Sequence, residues 1–332
     1  MNRVTVLGSG AWGTTMAQVL CDAGQEVLMW GRNTDVVNEV NSSHTNKKFL
    51  GDVTLPENLR ATTDISEAFG FGGSIVLAIP AQSLRENLAN WKGAFPKHLP
   101  VISTLKGIEA ATGKRMSEVV EEVLGISGDR LGIITGPNLA DELIQRQPAG
   151  AVGASASKEI SDLIIELFTT PYFRVYPSLD LVGCELAGAA KSVIGIAVGI
   201  SIGLGLGENT QAMIITRGLS EVARFGRAYG ADPLTFLGLA GMGDLVASCG
   251  SPLSRNRTFG ELIGRTGSMA IAQSQNAKTV EGVASSKAIL ELAHRVGVEV
   301  PIIEVVSDVV NNALAPSAAM ERLMTVSMRA EI

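Results

Sequence analysis

Cysteine and histidine are scarce in this chain, with three of each among 332 residues. Cys21, Cys184 and Cys249 are far apart and odd in number, which excludes a disulfide framework and fits reduced thiols. His44, His98 and His294 form no metal-ligand spacing with them, so no metal site is expected. Positive charge is also short: 27 Lys and Arg against 33 Asp and Glu leave a net charge of −6 and a pI near 5.3. That excludes wholesale binding to nucleic acid, though not a local basic pocket for a small anion. The first residues carry one basic side chain, Arg3, and a short apolar run broken by glycines, which is unlike a secretory signal. Long hydrophobic runs are nearly absent. The exception, residues 192–207, is uncharged but short and glycine-rich, and Lys191 and Glu208 bracket it. It reads as a buried helix, and no membrane insertion is expected. Internal repeats and low-complexity tracts are missing too.

Apolar side chains are plentiful, at 46% of the chain, enough for a large core and most naturally two domains. The first half alternates short apolar strands with helical patterns. Strands are expected at Val4–Leu7, Val27–Trp30, Ser74–Ile79, Val101–Leu105 and Leu131–Thr135, with two more at Ala149–Gly153 and Phe173–Tyr176. Helices are expected near Ala11–Ala23, Arg115–Leu124, Leu139–Gln145 and Lys158–Phe168. Continuous apolar strands alternating with helices imply an α/β fold, a doubly wound parallel sheet covered on both faces. After Pro177 no persuasive strand remains. Helical patterns run over Leu181–Leu206, Gln211–Tyr229, Thr279–Val296 and Pro301–Leu314, and Pro233 and Pro301 mark helix starts. The expected organisation is a dinucleotide-binding domain over residues 1–180 and an all-α domain over 181–332.

Gly8-Ser-Gly10-Ala-Trp-Gly13 follows the first strand and opens a helix, the context a dinucleotide loop needs. The first glycine permits the turn, the second lets a pyrophosphate reach the backbone, and the third lets helix and strand pack closely. Free N–H groups at the helix start would then face the anion. Trp12 is either a core aromatic or a cofactor contact. The second strand ends in Trp30-Gly-Arg32-Asn33, where an NAD-preferring site would place an acidic residue on the ribose hydroxyls. Arg32 suits a 2′-phosphate, so NADP is the expected cofactor, with NAD as a second.

A nicotinamide enzyme also needs a proton carrier, and the histidines sit in ordinary helix or turn contexts. Lys191 is better placed, as the only charge between Glu185 and Glu208. Gly195, Gly199, Gly203 and Gly207 follow it at every fourth residue, a stripe that lets another helix pack tightly. A lysine drawn into such a crevice beside a second cation releases its proton more readily; otherwise it snorkels at a helix end. Lys106 and Gly136-Pro-Asn138 follow strands directly, and the carboxyl ends of parallel strands line ligand crevices. Asp244, among glycines in an apolar loop, could orient a buried lysine. Arg255 offers a planar fork for phosphate, with Ser254 and Asn256 as donors, unless the cluster is a helix cap with a solvated basic face.

In order and spacing, these segments resemble bacterial NAD(P)-dependent glycerol-3-phosphate dehydrogenase over nearly the whole chain. The resemblance rests on Gly8–Gly13, Phe49–Leu59, Thr104–Glu109, Gly136–Asn138, Glu185–Lys191, Thr216–Glu221, Gly238–Leu245, Ser254–Asn256 and Val280–Gly282. It implies reversible hydride transfer between NAD(P)H and dihydroxyacetone phosphate, giving sn-glycerol 3-phosphate for phospholipid synthesis. Lys191 would be the proton donor and acceptor, with Lys106 stabilising the developing charge and Asp244 aiming the ammonium. Lys106, Gly136, Asn138, Lys191, Asp244, Ser254, Arg255 and Asn256 match substrate positions. Gly8, Gly10, Ala11, Trp12, Gly13, Arg32, Lys106, Ala140, Arg255, Thr279 and Glu281 match cofactor positions. A cytoplasmic homodimer is implied as well. Three positions depart from the family pattern: Ser192 replaces the usual Asn after the lysine, Asn138 replaces Ser or Thr, and Ser248 replaces Thr. The competing expectations are an NADP-dependent keto-acid reductase of ketopantoate-reductase type, a non-catalytic NADP-sensing module, and a membrane or scaffold protein built on 192–207.

Overall fold

The computed structural model describes residues 1–276 and 280–325. Two compact units emerge, one comprising Met1–Lys106 with Arg115–Glu185, the other Gly107–Lys114 with the chain from Leu186 onward. The division between Glu185 and Leu186 falls inside a single long helix, Leu181–Gly203.

The first unit is built on an eight-stranded sheet of β1 (Arg3–Leu7), β2 (Glu26–Trp30), β3 (Arg60–Thr62), β4 (Ser74–Leu77), β5 (Val101–Ser103), β6 (Leu131–Thr135), β7 (Ala149–Ser155) and β8 (Phe173–Ser178). Its order is β3-β2-β1-β4-β5-β6-β7-β8. β1 pairs in parallel with both β2 and β4, Val4 lying opposite Val27 on one side and Ser74 on the other. The direction of strand progression therefore reverses at β1, and ligand crevices in such sheets open at the carboxyl ends of the strands beside that reversal. The glycine loop begins there. Two cores form. Val4, Val6, Met16, Leu20 and Phe168 belong to one; Ile75, Leu77, Leu88 and Trp91 belong to the other. Strands covered on both faces in this way need the continuous apolar runs the sequence carries.

Two features depart from the expectation. β3 lies in a three-residue run, Arg60-Ala-Thr62, too short and polar to register as a strand. β7 runs antiparallel to β6, with Gly132 opposite Ser155. A parallel return needs a crossover as long as the strand. The only helix in that connection is the four-residue turn Ala140–Leu143, about 6 Å long at helical rise, and it cannot carry the chain back along the sheet. β8 then pairs in parallel with β7, through the helix Lys158–Phe168.

Among the described residues the second unit contains no strand. The helix Leu181–Gly203 is long and apolar enough to cross a membrane, but 83% of its most apolar window is buried inside the protein. Its burial is explained by the helix Arg255–Thr266. A methyl group on Gly199 would stand 2.0 Å from the Arg257 carbonyl oxygen, and one on Gly203 2.2 Å from that of Glu261. The seam is reciprocal: a methyl on Gly260 would lie 2.2 Å from Ile196 O, and one on Gly264 2.4 Å from Ile200 O. The backbones thus touch where any side chain would separate them. Gly207, the last of the four-residue repeat, lies past the helix end and has open space instead. A second buried tie is Glu221, whose carboxylate accepts from the N–H groups of Ile302 and Ile303, both at 2.9 Å, at the start of the helix Pro301–Asn311. Burial pushes that carboxyl up to about 7 against the pull of the two amides.

The seam predicts that Gly199→Ala destabilises the protein by about 3 kcal/mol, the upper end of overpacking costs, because backbone rather than a mobile side chain must yield. Gly250→Ala, which meets open space, should leave urea denaturation midpoints nearly unchanged. Equal effects of the two would contradict close backbone packing.

Candidate functional site

In the first unit, the chain leaves β1 through Gly8, whose φ of +135° and contact with Ala78 O exclude a side chain. A methyl on Gly13 would lie 2.0 Å from Gly8 O, so the helix Ala11–Asp22 can pack against the loop only with glycine there. Gly10 is different: a methyl there would meet nothing within 4 Å. Gly10 is also the N-cap, and no side chain caps the helix. The helix therefore opens with uncapped N–H groups at a place clear of protein atoms, which is the cradle a pyrophosphate requires. These residues fit a dinucleotide. Asn46, fully buried, braces the loop by donating to Ser9 O at 3.1 Å and Thr14 Oγ1 at 2.8 Å. Its role escaped the sequence reading because a polar residue thirty-odd positions away carries no periodic signal.

Trp12 is partly buried and packs its apolar body against the core. At the end of β2, Arg32 is exposed and forms no ion pair among the described residues. Asn33 beside it caps the helix Thr34–Ser43 by accepting from Asp35 and Val36. The Arg32 charge is thus left for an external anion or for solvent.

At the carboxyl ends of β5 and β6, Lys106 Nζ donates to Gly136 O at 2.9 Å. Gly136 has φ +143°, and a methyl there would lie 3.0 Å from both Gly150 O and Ala151 Cα. Asn138 donates from Nδ2 to Gly150 O at 3.0 Å, while its buried Oδ1 has no hydrogen-bond partner. The structure therefore brings Lys106, Gly136 and Asn138 together, and Ala140 starts the short helix that follows.

In the second unit, Lys191 Nζ donates to Asp244 Oδ1 at 2.8 Å and to Ser248 Oγ at 2.7 Å. The side chains of Lys191 and Asp244 are only 14% and 3% exposed. Asp244 does not sit in a loop, as its glycine neighbours suggested. A π-helical turn, Leu239–Gly243, runs directly into the helix Asp244–Gly250, and Asp244 and Ser248 share a face one turn apart. π-turns of this kind are frequent at functional positions. Burial pushes the neighbouring Cys249 thiol up to about 12, which removes it as a nucleophile near neutral pH. All three cysteines are free and buried.

Ser254 is the N-cap of the helix Arg255–Thr266, its hydroxyl accepting from Arg257 N at 3.4 Å. Arg255 is exposed at the first helical position, without an ion pair among the described residues. Asn256 accepts at Oδ1 from Gly282 N at 3.0 Å. Glu281 opens the helix Glu281–Arg295; Thr279 lies outside the described residues. The sequence reading also missed Glu185 as a structural anchor. Buried, it accepts from Arg115 Nη1 at 2.6 Å, Ser117 N at 2.8 Å and Ser117 Oγ at 2.6 Å. No group of three metal-ligating side chains occurs among the described residues.

Comparison with known proteins gives a consistent result. The family profile described as NAD-dependent glycerol-3-phosphate dehydrogenase N-terminus matches residues 3–161. The C-terminal profile of the same name matches residues 180–321. A glycerol-3-phosphate dehydrogenase [NAD(P)+] of Streptomyces avermitilis is 48% identical over 329 residues, covering 99% of this chain and 98% of that one. One from Corynebacterium glutamicum is 46% identical over the full length of both. The crystal structure of glycerol-3-phosphate dehydrogenase from Coxiella burnetii is similar with a TM-score of 0.91 at 32% identity, covering 98% of this chain and 99% of that one.

The Lys191–Asp244 contact predicts strong energetic coupling. Asp244→Ala should cost about 3 kcal/mol by leaving a nearly buried ammonium unpaired. Lys191→Met combined with Asp244→Ala should cost well under the sum of the two single changes. Additive losses in chemical denaturation would mean that the pair contributes no mutual stabilisation.

Proposed function

The chain belongs to the NAD-dependent glycerol-3-phosphate dehydrogenase family, and on that premise we propose how its own residues carry the family's reaction. The reaction is hydride transfer between NAD(P)H and dihydroxyacetone phosphate to give glycerol 3-phosphate. When bound, the nicotinamide supplies the hydride; the protein's tasks are to hold an anionic substrate and to move one proton.

Lys191 is the proton carrier. As the carbonyl carbon is reduced, charge builds on its oxygen, and the Lys191 ammonium delivers a proton there. In the reverse direction the neutral amine receives it. The observation that carries this reading is the grip on that ammonium: Asp244 and Ser248 hold Nζ at 2.8 and 2.7 Å. Two bonds leave one N–H direction for substrate, because an ammonium has three donors. Asp244 keeps the amine aimed. Lys106, fixed on Gly136 O, is a further cation for the anionic substrate.

Arg255 holds the substrate phosphate. Its guanidinium is exposed and stands at the start of a twelve-residue helix, where first-turn N–H groups also favour an anion. Asn256 Nδ2 and the Ser254 hydroxyl proton add donors. The glycine loop, Gly8 to Gly13, with Ala11 and Trp12, holds the cofactor pyrophosphate end. Arg32 reads the 2′-phosphate, which makes NADPH the favoured partner over NADH. Ala140, Thr279 and Glu281 complete the cofactor contacts. Family membership sets aside the keto-acid reductase and the membrane scaffold. A purely sensing module would have no use for an ammonium fixed between a carboxylate and a hydroxyl.

The product is the backbone precursor of glycerophospholipids, and we place the enzyme in the cytoplasm, where three buried free thiols stay reduced. A homodimer is supported by the exposure of large apolar side chains at Leu234, Leu237, Met242 and Val246 in the second unit.

NADPH oxidation by dihydroxyacetone phosphate tests the assignment. Lys191→Ala should lower kcat by roughly 10²–10⁴-fold with NADPH affinity preserved. Near-normal turnover would remove Lys191 from the proton-transfer role. Arg255→Ala should mainly raise KM for dihydroxyacetone phosphate, and an unchanged KM would place phosphate recognition elsewhere.

A further inference from the structure

Asn256 is matched to the substrate, yet half of its amide is already in use. Its Oδ1 accepts from the backbone N–H of Gly282 at 3.0 Å. An N–H donor requires the oxygen to face it, so the amide orientation is set and Nδ2 must point the other way. Among the described residues Nδ2 makes no hydrogen bond.

The surroundings show why this bond exists. Three helices of the second unit converge on it. Asn256 occupies the second position of Arg255–Thr266, directly after the arginine that would take the phosphate. Gly282 occupies the second position of Glu281–Arg295 and follows Glu281 directly. The third helix carries Lys191, and it touches both others within one turn. A methyl on Gly195 would meet Asn256 Cβ at 3.5 Å, and one on Gly282 would lie 2.6 Å from Ser192 O. No side chain caps the helix Glu281–Arg295 at its own N-cap, Val280. Asn256 therefore acts as the cap from another helix. It satisfies one of the orphan amides that every helix start exposes.

We propose that Asn256 is a positioning residue with two ends: Oδ1 pins the start of the Glu281 helix, and Nδ2 meets the substrate phosphate. One rigid amide thereby ties the element that bears Glu281 to the element that bears Arg255. The idea rests on the reading of Glu281 as a cofactor contact and of Arg255 as the phosphate contact. It goes further in assigning Asn256 a share in cofactor affinity, although it touches no cofactor.

Two variants separate the ends. Asn256→Ala removes both. Asn256→Asp keeps an oxygen for the Gly282 N–H but turns the phosphate-facing end from donor to acceptor. NADPH affinity is measured by fluorescence without substrate, steady-state constants with dihydroxyacetone phosphate, and exchange of the amides at the start of the Glu281 helix by hydrogen–deuterium mass spectrometry. In Asn256→Ala, the NADPH Kd and the KM for dihydroxyacetone phosphate should each rise at least fivefold, and exchange at that helix start should accelerate. In Asn256→Asp, the NADPH Kd should return to within twofold of wild type and exchange protection should recover, while KM for dihydroxyacetone phosphate stays high. The proposal is overturned if Asn256→Ala leaves the NADPH Kd within twofold of wild type. It is equally overturned if Asn256→Asp restores protection without restoring NADPH affinity. Failure of the underlying functional reading would show itself differently, as a wild-type protein that does not oxidise NADPH with dihydroxyacetone phosphate.

Discussion

An ammonium group inside an apolar helix is costly unless something holds it. Lys191 interrupts a run of alanine, valine, isoleucine and glycine, and its charge is kept in place by Asp244 and Ser248. Much of the second unit follows from meeting that requirement. The carboxylate must be nearly buried to reach the amine, so it needs a rigid mount, and the π-turn leading into Asp244–Gly250 provides it. The amine must be reachable by a small ligand, so the lysine helix cannot be wrapped in bulky side chains on that flank. Glycines at 199 and 203 let the neighbouring helix approach backbone to backbone. That close approach also sets where Arg255 and Asn256 stand relative to Lys191. The packing constraint and the chemical constraint are thus met by the same residues.

A net-negative protein that binds two anions must concentrate its positive charge locally. Arg32 and Arg255 are both exposed and without ion pairs among the described residues, whereas Arg115 and Arg146 are engaged with carboxylates. The distinction is physical: a guanidinium already bound bidentately by a carboxylate has little left for phosphate. Arg146, held by Asp22 through two bonds, illustrates the structural use of arginine. Arg32 and Arg255 illustrate the arrangement expected when the partner comes from outside.

How much of this could be read from the chain depends on whether the signal was local. The first strand, the glycine loop and the helix after it were legible because each glycine has its own task at a fixed place in the motif: Gly8 turns the chain at a positive φ, Gly10 leaves space open for an anion, and Gly13 lets the helix close on Gly8 O. Lys191 was legible because one charge in a long apolar run must have a reason. Its partner could be guessed from the glycines around Asp244, but its helical setting could not, since glycines favour turns in isolation and only tertiary packing holds them in a π-turn. Glu185, Asn46 and Glu221 were illegible as anchors. Their partners are brought near by topology alone, and nothing in the local pattern distinguishes a buried carboxylate capping a distant helix from a solvated one. The antiparallel β7 was missed because apolar runs reveal burial and carry no strand direction. Asn256 falls between these cases: its residue type suggested a donor to substrate, and only the fold shows that its oxygen is already committed to Gly282.

Catalysis by this chain comes down to one amine moving one proton. Chemical rescue tests that claim most directly. In Lys191→Ala, small primary amines added to the assay should restore NADPH oxidation by dihydroxyacetone phosphate, and the restored rate should vary systematically with amine basicity and fall for amines too bulky for the vacated space. Absence of rescue by any amine, in a variant that still binds NADPH and substrate, would contradict the assignment of proton transfer to Lys191.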